Sequence, residues 1–154
     1  MNIGDNLPNL PIETTDESIK NLGDLAGKIL VLYFYPKDNT PGCTTESQDF
    51  RDLYTEFQKF DTEIIGVSRD SLASHERFRE KQALPFALIS DSDETLCQHF
   101  DVIKMKNMYG KQVRGIERST FLFDKNGQLI KEWRKVKVKG HAGEVLRAVR
   151  ELIA

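Results

Sequence analysis

Short unbroken apolar runs alternate along the chain with segments whose apolar residues recur at helical spacing. The first run, at 29–35, contains no charged residue and is followed by a segment at 36–42 that is rich in proline, glycine and asparagine. An apolar run of this length without alternation is typical of a strand buried on both faces. Similar runs at 63–68 and 86–90 predict two further central strands.

Between and after these strands, the apolar residues recur every three or four positions, which predicts amphipathic helices. The segment 44–60 shows this pattern most clearly. Its apolar face consists of Phe50, Leu53, Tyr54, Phe57 and Phe60. Further helices are predicted over 71–82 and 142–153, with a short one over 93–100. His141, at the start of the last helix, is expected to be solvent-exposed or to cap that helix.

Asn126 and Gly127 lie between two apolar segments, at 120–123 and 129–133, and predict a hairpin turn because both residues tolerate positive φ. Residues 1–27 are interpreted as an irregular lead-in, and 104–118 as a long functional loop with little periodicity. Strands that alternate with helices and end in an antiparallel pair predict an α/β fold with a mixed central sheet. We expect one domain over 1–154.

Composition and charge argue against several classes of function. The 154 residues are 39% hydrophobic and 30% charged, with a formal net charge of −2, which argues against a general nucleic-acid binder or an acidic-lipid binder. The basic stretch 131–139 is interpreted as an edge segment with lysines facing water rather than as a binding patch. No apolar run is long enough to cross a bilayer, and the N-terminus lacks a secretory pattern, so a cytoplasmic protein without membrane contact is expected.

The two cysteines, Cys43 and Cys97, exclude a disulfide scaffold and a four-cysteine zinc site, and the three scattered histidines do not predict a metal site. Cys43 follows the first central strand and precedes a helix. Unpaired N–H groups and the helix dipole at such a position favour a thiolate, which is the nucleophilic form. A small buried cysteine that only fills space is the alternative at this stage.

The residues around Cys43 distinguish these two interpretations. Pro36, Thr40 and Cys43 form P-x-x-x-T-x-x-C, which resembles the active-site motif of the peroxiredoxins. The surrounding sequence, YFYPK at 33–37 and TPGCT at 40–44, is similar to the bacterioferritin-comigratory-protein branch, also called peroxiredoxin Q. The resemblance continues through GIERSTFL at 115–122 and thus covers nearly the whole chain. It implies a thioredoxin-like fold, with the mixed sheet flanked by helices on both faces.

The resemblance also implies a thiol-dependent peroxidase that needs no bound cofactor. Cys43 would attack hydrogen peroxide or an organic hydroperoxide and become a sulfenic acid. The Thr40 hydroxyl would accept a hydrogen bond from the peroxide and donate one to the sulfur or the departing oxygen. Pro36 would shield the sulfur from water, and the backbone N–H groups of Gly42 and Cys43 would bind the substrate.

Two charged residues complete the implied site. Arg118 matches the arginine of the family's active site and would favour the thiolate and polarise the peroxide. Glu46 matches the acidic residue that positions this arginine. Because Glu46 also stands where a C-x-x-C motif needs its second cysteine, disulfide reductase chemistry is disfavoured.

A resolving cysteine is missing from both of its usual positions in this branch. One of them is Gln48 here, and the other falls in the predicted helix over 71–82, which has no cysteine. Cys97 is the remaining candidate, but its apolar neighbours Leu96 and Phe100 favour inert packing. We therefore expect a one-cysteine cycle, with a Cys43–Cys97 cycle as the alternative.

The expected partners are a hydroperoxide and a thiol reductant, namely thioredoxin, glutaredoxin or glutathione. The branch resemblance implies a monomer. A non-enzymatic holdase or redox-sensing module is the alternative from another class, although the sequence shows no clear apolar or partner surface for it.

Overall fold

The computed structural model describes residues 1–153 and contains eight strands and four α-helices within that range. The strands are β1 (Glu13–Thr14), β2 (Ile29–Phe34), β3 (Thr62–Ser68), β4 (Leu88–Ser90), β5 (Ile103–Met108), β6 (Lys111–Ile116), β7 (Ser119–Phe123) and β8 (Leu129–Trp133). The helices are α1 (Pro41–Gln58), α2 (Leu72–Gln82), α3 (Thr95–His99) and α4 (His141–Ile153). The four α-helices and all three predicted central strands lie where the periodicity places them, within a few residues.

Six strands form one mixed sheet in the order β1–β4–β3–β2–β7–β8. β2 pairs in parallel with β3, and β3 with β4, whereas β1, β7 and β8 join antiparallel to their neighbours. The central position of β2 explains its unbroken apolar sequence, because neither of its faces meets water. The predicted mixed α/β sheet is confirmed.

Alternate residues of β2 divide the core into two layers, as the twofold period of a strand requires. Val31 and Tyr33 face the layer that contains α1, α2 and α4. Leu30 and Leu32 face the layer that contains α3 and the N-terminal segment. Helices therefore cover both faces of the sheet, as expected.

The lead-in over 1–27 is mostly irregular, but it also contains β1 and a short 3-10 helix, Leu22–Leu25. Its apolar residues Leu7, Leu10 and Ile12 pack on the second core layer. The basic stretch begins in β8, which is an edge strand of the sheet. This position agrees with its interpretation as a solvated edge.

The expectation of a long loop over 104–118 is wrong, because β5 and β6 form a separate two-stranded hairpin there. Most of its side chains are half-buried or exposed, so the sequence lacks the apolar alternation of a half-buried strand. Tyr109 and Gly110 form its two-residue turn, with φ of 53° and 78°. Positive φ at both positions is the geometry that hairpin turns favour.

The expectation for His141 is also wrong. Its ring packs edge-on against Phe50 and Trp133, and its Nε2 lies 2.8 Å from the Thr120 hydroxyl. Burial lowers the pKa of His141 to about 4, so the neutral ring is a core residue. None of the helices within residues 1–153 has the length and apolar character needed to span a membrane.

Candidate active site

Cys43 is the third residue of α1, which begins at Pro41, three residues before the predicted start. Thr40 is the N-cap, and the first backbone hydrogen bond of the helix runs from the Thr44 N–H to the Thr40 carbonyl, at 2.9 Å. The N–H groups of Gly42 and Cys43 therefore belong to the first turn, where a helix offers them no acceptor. These groups and the helix dipole favour a negative charge at Cys43.

Sheet register explains how Arg118, far away in sequence, reaches this cysteine. β7 runs antiparallel to β2, and Ser119 pairs with Phe34, so the start of β7 lies beside the end of β2. Arg118 immediately precedes β7, and its Nη2 lies 3.3 Å from the Cys43 Sγ. The Cys43 side chain is almost completely buried, and Arg118 is largely buried, so water screens their interaction only weakly.

Glu46 follows Cys43 by one helical turn and binds the other arm of the guanidinium. The Arg118 Nη1 donates to Glu46 Oε1 at 2.6 Å, while Oε2 is buried and has no hydrogen-bond partner within residues 1–153. Burial raises the pKa of the Glu46 carboxyl to about 7, against the opposing effect of the Arg118 cation. Burial lowers the pKa of Arg118 less than the Glu46 and Cys43 charges raise it, so the guanidinium remains cationic.

Gly42 leaves room for the guanidinium. A Cβ at this position would lie 3.3 Å from the Arg118 Nη2, closer than an ordinary contact. A side chain at residue 42 would therefore require the guanidinium beside the sulfur to shift by a few tenths of an ångström. Sequence reasoning named Gly42 only for its N–H group and did not identify this steric reason.

Thr40 and Pro36 lie in the loop between β2 and α1. The Thr40 hydroxyl donates its hydrogen to the Lys37 carbonyl at 2.8 Å, which leaves the lone pairs of its oxygen to act as acceptors. In this geometry Thr40 can accept a hydrogen bond from a peroxide, whereas donation to the sulfur requires the hydroxyl to rotate. Pro36 is half-buried directly after the end of β2.

Cys97 is completely buried in α3 and does not join this site. It belongs to the second core layer, whereas Cys43 belongs to the first, so the two thiols lie on opposite faces of the sheet. Burial raises the pKa of Cys97 well above its usual range, and the neighbouring Asp91 carboxylate adds to this shift. Gln48, at a usual resolving position, instead donates a hydrogen bond to Gln82 on α2, at 2.8 Å.

Sequence reasoning missed a buried polar cluster beneath the loop that contains Thr40. Asp38, Asp70 and His75 place carboxylate oxygens and ring nitrogens within 4.8 Å of one another. Each of these side chains is hydrogen-bonded to its neighbours. Asp38 and His75 are 37 positions apart, and no spacing signal links them.

Comparison with known proteins agrees with this geometry. Residues 3–132 match the model of the AhpC/TSA family. The chain is 57% identical over 141 residues to Peroxiredoxin Bcp of Xanthomonas campestris pv. campestris, covering 92% of this chain and 88% of that protein. It is 52% identical over 150 residues to Peroxiredoxin Bcp of Bacillus subtilis, covering 97% and 96%.

Solved structures give the same result. A mutant of PrxQ from Xylella fastidiosa superimposes with a TM-score of 0.94 at 48% identity, covering 100% of this chain and 98% of that one. The bacterioferritin comigratory protein of Xanthomonas campestris superimposes with a TM-score of 0.87 at 54% identity, covering 94% and 92%. The expected thioredoxin-like fold is thereby confirmed. The chain belongs to the AhpC/TSA family, in its peroxiredoxin Q/Bcp branch, and is a thiol-dependent peroxidase.

Proposed function

We propose that Cys43 is the peroxidatic residue and reduces hydrogen peroxide and organic hydroperoxides. Its thiolate attacks one peroxide oxygen, an S–O bond forms as the O–O bond breaks, and the other oxygen leaves as hydroxide or alkoxide and takes up a proton. The sulfur becomes a sulfenic acid. The observation that carries this proposal is the 3.3 Å contact between the Cys43 Sγ and the Arg118 guanidinium at a helix N-terminus.

The neighbouring groups suit the charge that this step moves. Arg118 offers a fork of fixed donors that can stabilise the thiolate and then the two peroxide oxygens as their bond lengthens. Glu46 holds that fork in position through its 2.6 Å ion pair. The Thr40 oxygen accepts a hydrogen bond from the peroxide O–H, and the Gly42 and Cys43 N–H groups donate hydrogen bonds to the substrate.

The remaining site residue, Pro36, is proposed to limit the access of water to the sulfur. Cys43 is only 1% exposed, so little water reaches its sulfur. Organic hydroperoxides are included because the similar protein of Xanthomonas campestris is described by its alkyl peroxide reduction activity.

The cycle is proposed to use one cysteine. A disulfide requires the two Cα atoms to come within about 7 Å, yet Cys43 and Cys97 lie in core layers on opposite sides of the sheet. The burial of Cys97 also disfavours the thiolate form that would attack a sulfenic acid. An external thiol is therefore proposed to reduce the Cys43 sulfenic acid.

The reductant is proposed to be thioredoxin, glutaredoxin or glutathione. The protein is proposed to act in the cytoplasm as a monomer that consists of one domain over 1–154. Analytical ultracentrifugation of reduced protein tests the monomer, because a stable dimer would give a molar mass twice the 17.7 kDa of the chain.

The cycle is tested by steady-state hydrogen peroxide consumption with each reductant in turn. Cys43→Ser is expected to abolish turnover, and Cys97→Ser is expected to retain it within about threefold, because a buried Cys-to-Ser change affects packing more than chemistry. Equal activity of Cys43→Ser and the unmutated protein would overturn the role of Cys43. Loss of turnover in folded Cys97→Ser protein, with peroxide attack intact, would establish the two-cysteine cycle instead.

A further inference from the structure

A second charged group, which does not touch the thiol, lies beneath the active-site loop. Asp38 follows β2 by four residues and is only 4% exposed. Its Oδ1 accepts a hydrogen bond from the Tyr35 hydroxyl at 2.6 Å. Its Oδ2 accepts one from the Ser74 hydroxyl and lies 2.8 Å from the His75 Nδ1. Both Ser74 and His75 belong to α2, so this carboxylate links the loop to that helix.

Hydrogen bonding also fixes the orientation of the His75 ring. The His75 Nε2 lies 2.9 Å from the Ile89 carbonyl oxygen, which can only accept, so Nε2 carries a hydrogen. Burial raises the pKa of Asp38, but hydrogen bonds from His75 and Tyr35 outweigh it and hold this pKa below its usual range. The His75 Nδ1 faces the Asp38 carboxylate at 2.8 Å, so both ring nitrogens lie against acceptors and the ring has one orientation.

The backbone of the same loop is also anchored. The Asp38 N–H donates to Asp70 Oδ2 at 2.9 Å, and this oxygen also accepts from the Ser68 hydroxyl at 2.5 Å. The loop is thus attached to the end of β3 and to α2. Two residues after Asp38, Thr40 occupies the N-cap position of α1, the helix that contains Cys43.

We propose that Asp38 and His75 are positioning residues for the peroxide step: the buried hydrogen bond between them fixes the loop that holds Thr40 and precedes the helix of Cys43. This inference rests on the proposed function of Cys43. A buried polar pair adds little net stability compared with an apolar pair of equal volume, whereas the directed hydrogen bonds to the Asp38 carboxylate specify one loop geometry. Misplacement of catalytic groups by about 1 Å can slow a reaction by about 100-fold.

The test compares two reactions of Cys43 in Asp38→Asn, His75→Gln and the double variant. Hydrogen peroxide needs the aligned site, whereas iodoacetamide needs only an accessible thiolate. The ratio of the two second-order rate constants is expected to fall by about 10- to 100-fold in each single variant. The double variant is expected to lose no more than either single one, because the pair acts as a unit.

Asp91→Asn is the matched control. Asp91 is likewise 4% exposed, but its carboxylate accepts from the N–H groups of Leu96 and Cys97 and caps α3. In Asp91→Asn the ratio is expected to stay within about twofold of its value in the unmutated protein, although this variant also loses stability. Should His75→Gln fail to fold, Ser74→Ala removes one donor to Asp38 and is expected to lower the ratio by a smaller factor.

Three results would overturn the inference. One is an unchanged ratio in two folded variants, Asp38→Asn and His75→Gln. If His75→Gln does not fold, Ser74→Ala takes its place in this comparison. Another is an equal fall of the ratio in Asp91→Asn, and the third is additive losses in the double variant. If Cys43 of the unmutated protein is not oxidised, the proposed function fails together with this inference. If it is oxidised and the ratios do not change, only this inference fails.

Discussion

Arg118→Met tests the electrostatic account of the site most sharply, because methionine keeps much of the length of arginine and removes its charge. The guanidinium lies 3.3 Å from the Cys43 sulfur. At this separation, two unit charges attract by about 5 kcal/mol at an effective dielectric constant of 20. Solvation of the exposed part of the site reduces this value, and loss of one preorganised donor typically costs about 3–4 kcal/mol. We therefore expect hydrogen peroxide to oxidise Cys43 about 10²- to 10³-fold more slowly.

The rate is measured by rapid quenching with an alkylating reagent, followed by intact mass analysis, so that reduced and oxidised Cys43 are counted directly. Arg118→Lys is the paired variant, because it keeps the charge but has a single nitrogen. That nitrogen cannot reproduce both the 3.3 Å contact to Cys43 and the 2.6 Å contact to Glu46. The lysine variant is expected to recover only part of the lost rate. An oxidation rate of Arg118→Met within threefold of the unmutated protein would refute the reasoning.

Three further changes test other parts of the structure. Thr40→Val removes the acceptor oxygen and is expected to slow peroxide attack by about 10²-fold in the same quench assay, with iodoacetamide alkylation unchanged; equal slowing of both reactions would contradict the role of Thr40. Burial raises the pKa of Glu46 from 4.5 to about 7 in the folded state, so its contribution to stability is present below pH 4.5 and is lost as pH rises through 7. Relative to Glu46→Gln, the unmutated protein is expected to lose about 3 kcal/mol of unfolding free energy between pH 4.5 and 8 in urea titrations; parallel pH profiles would contradict this shift. Gly66→Ala places a Cβ 2.7 Å from the Tyr33 ring and 2.8 Å from Leu88 and is expected to destabilise the fold by about 1–3 kcal/mol; an unchanged urea midpoint would show that the core adapts.

The sequence predicts those elements whose burial leaves a periodic signal. The run at 29–35 became the central strand β2 because both of its faces are covered. The hairpin of β5 and β6 gave no such signal, since no apolar layer encloses it. Its turn residues, Tyr109 and Gly110, were the only local indication.

The residues of the site also differ in how far the sequence predicts them. The position of Cys43 between a buried strand and a helix points to it from the sequence alone, and the resemblance to a local motif adds Pro36 and Thr40. Arg118 is expected only by resemblance, because its approach to Cys43 depends on the register between β2 and β7.

The Asp38–His75 pair was not predicted at all. It depends on how α2 packs against the loop after β2, and a lone histidine in a helix gives no indication of its partner. Long-range pairing of polar side chains therefore required the structure.

The most direct test of the central claim is the intact mass of reduced protein after one equivalent of hydrogen peroxide, with and without a sulfenic-acid trap. The account predicts one trapped adduct, mapped by peptide analysis to Cys43, while Cys97 remains a reduced thiol. A Cys43–Cys97 disulfide without adduct would contradict the one-cysteine cycle, since it would require the sheet and its two core layers to open in each turnover. An unchanged mass would contradict the peroxidatic role of Cys43.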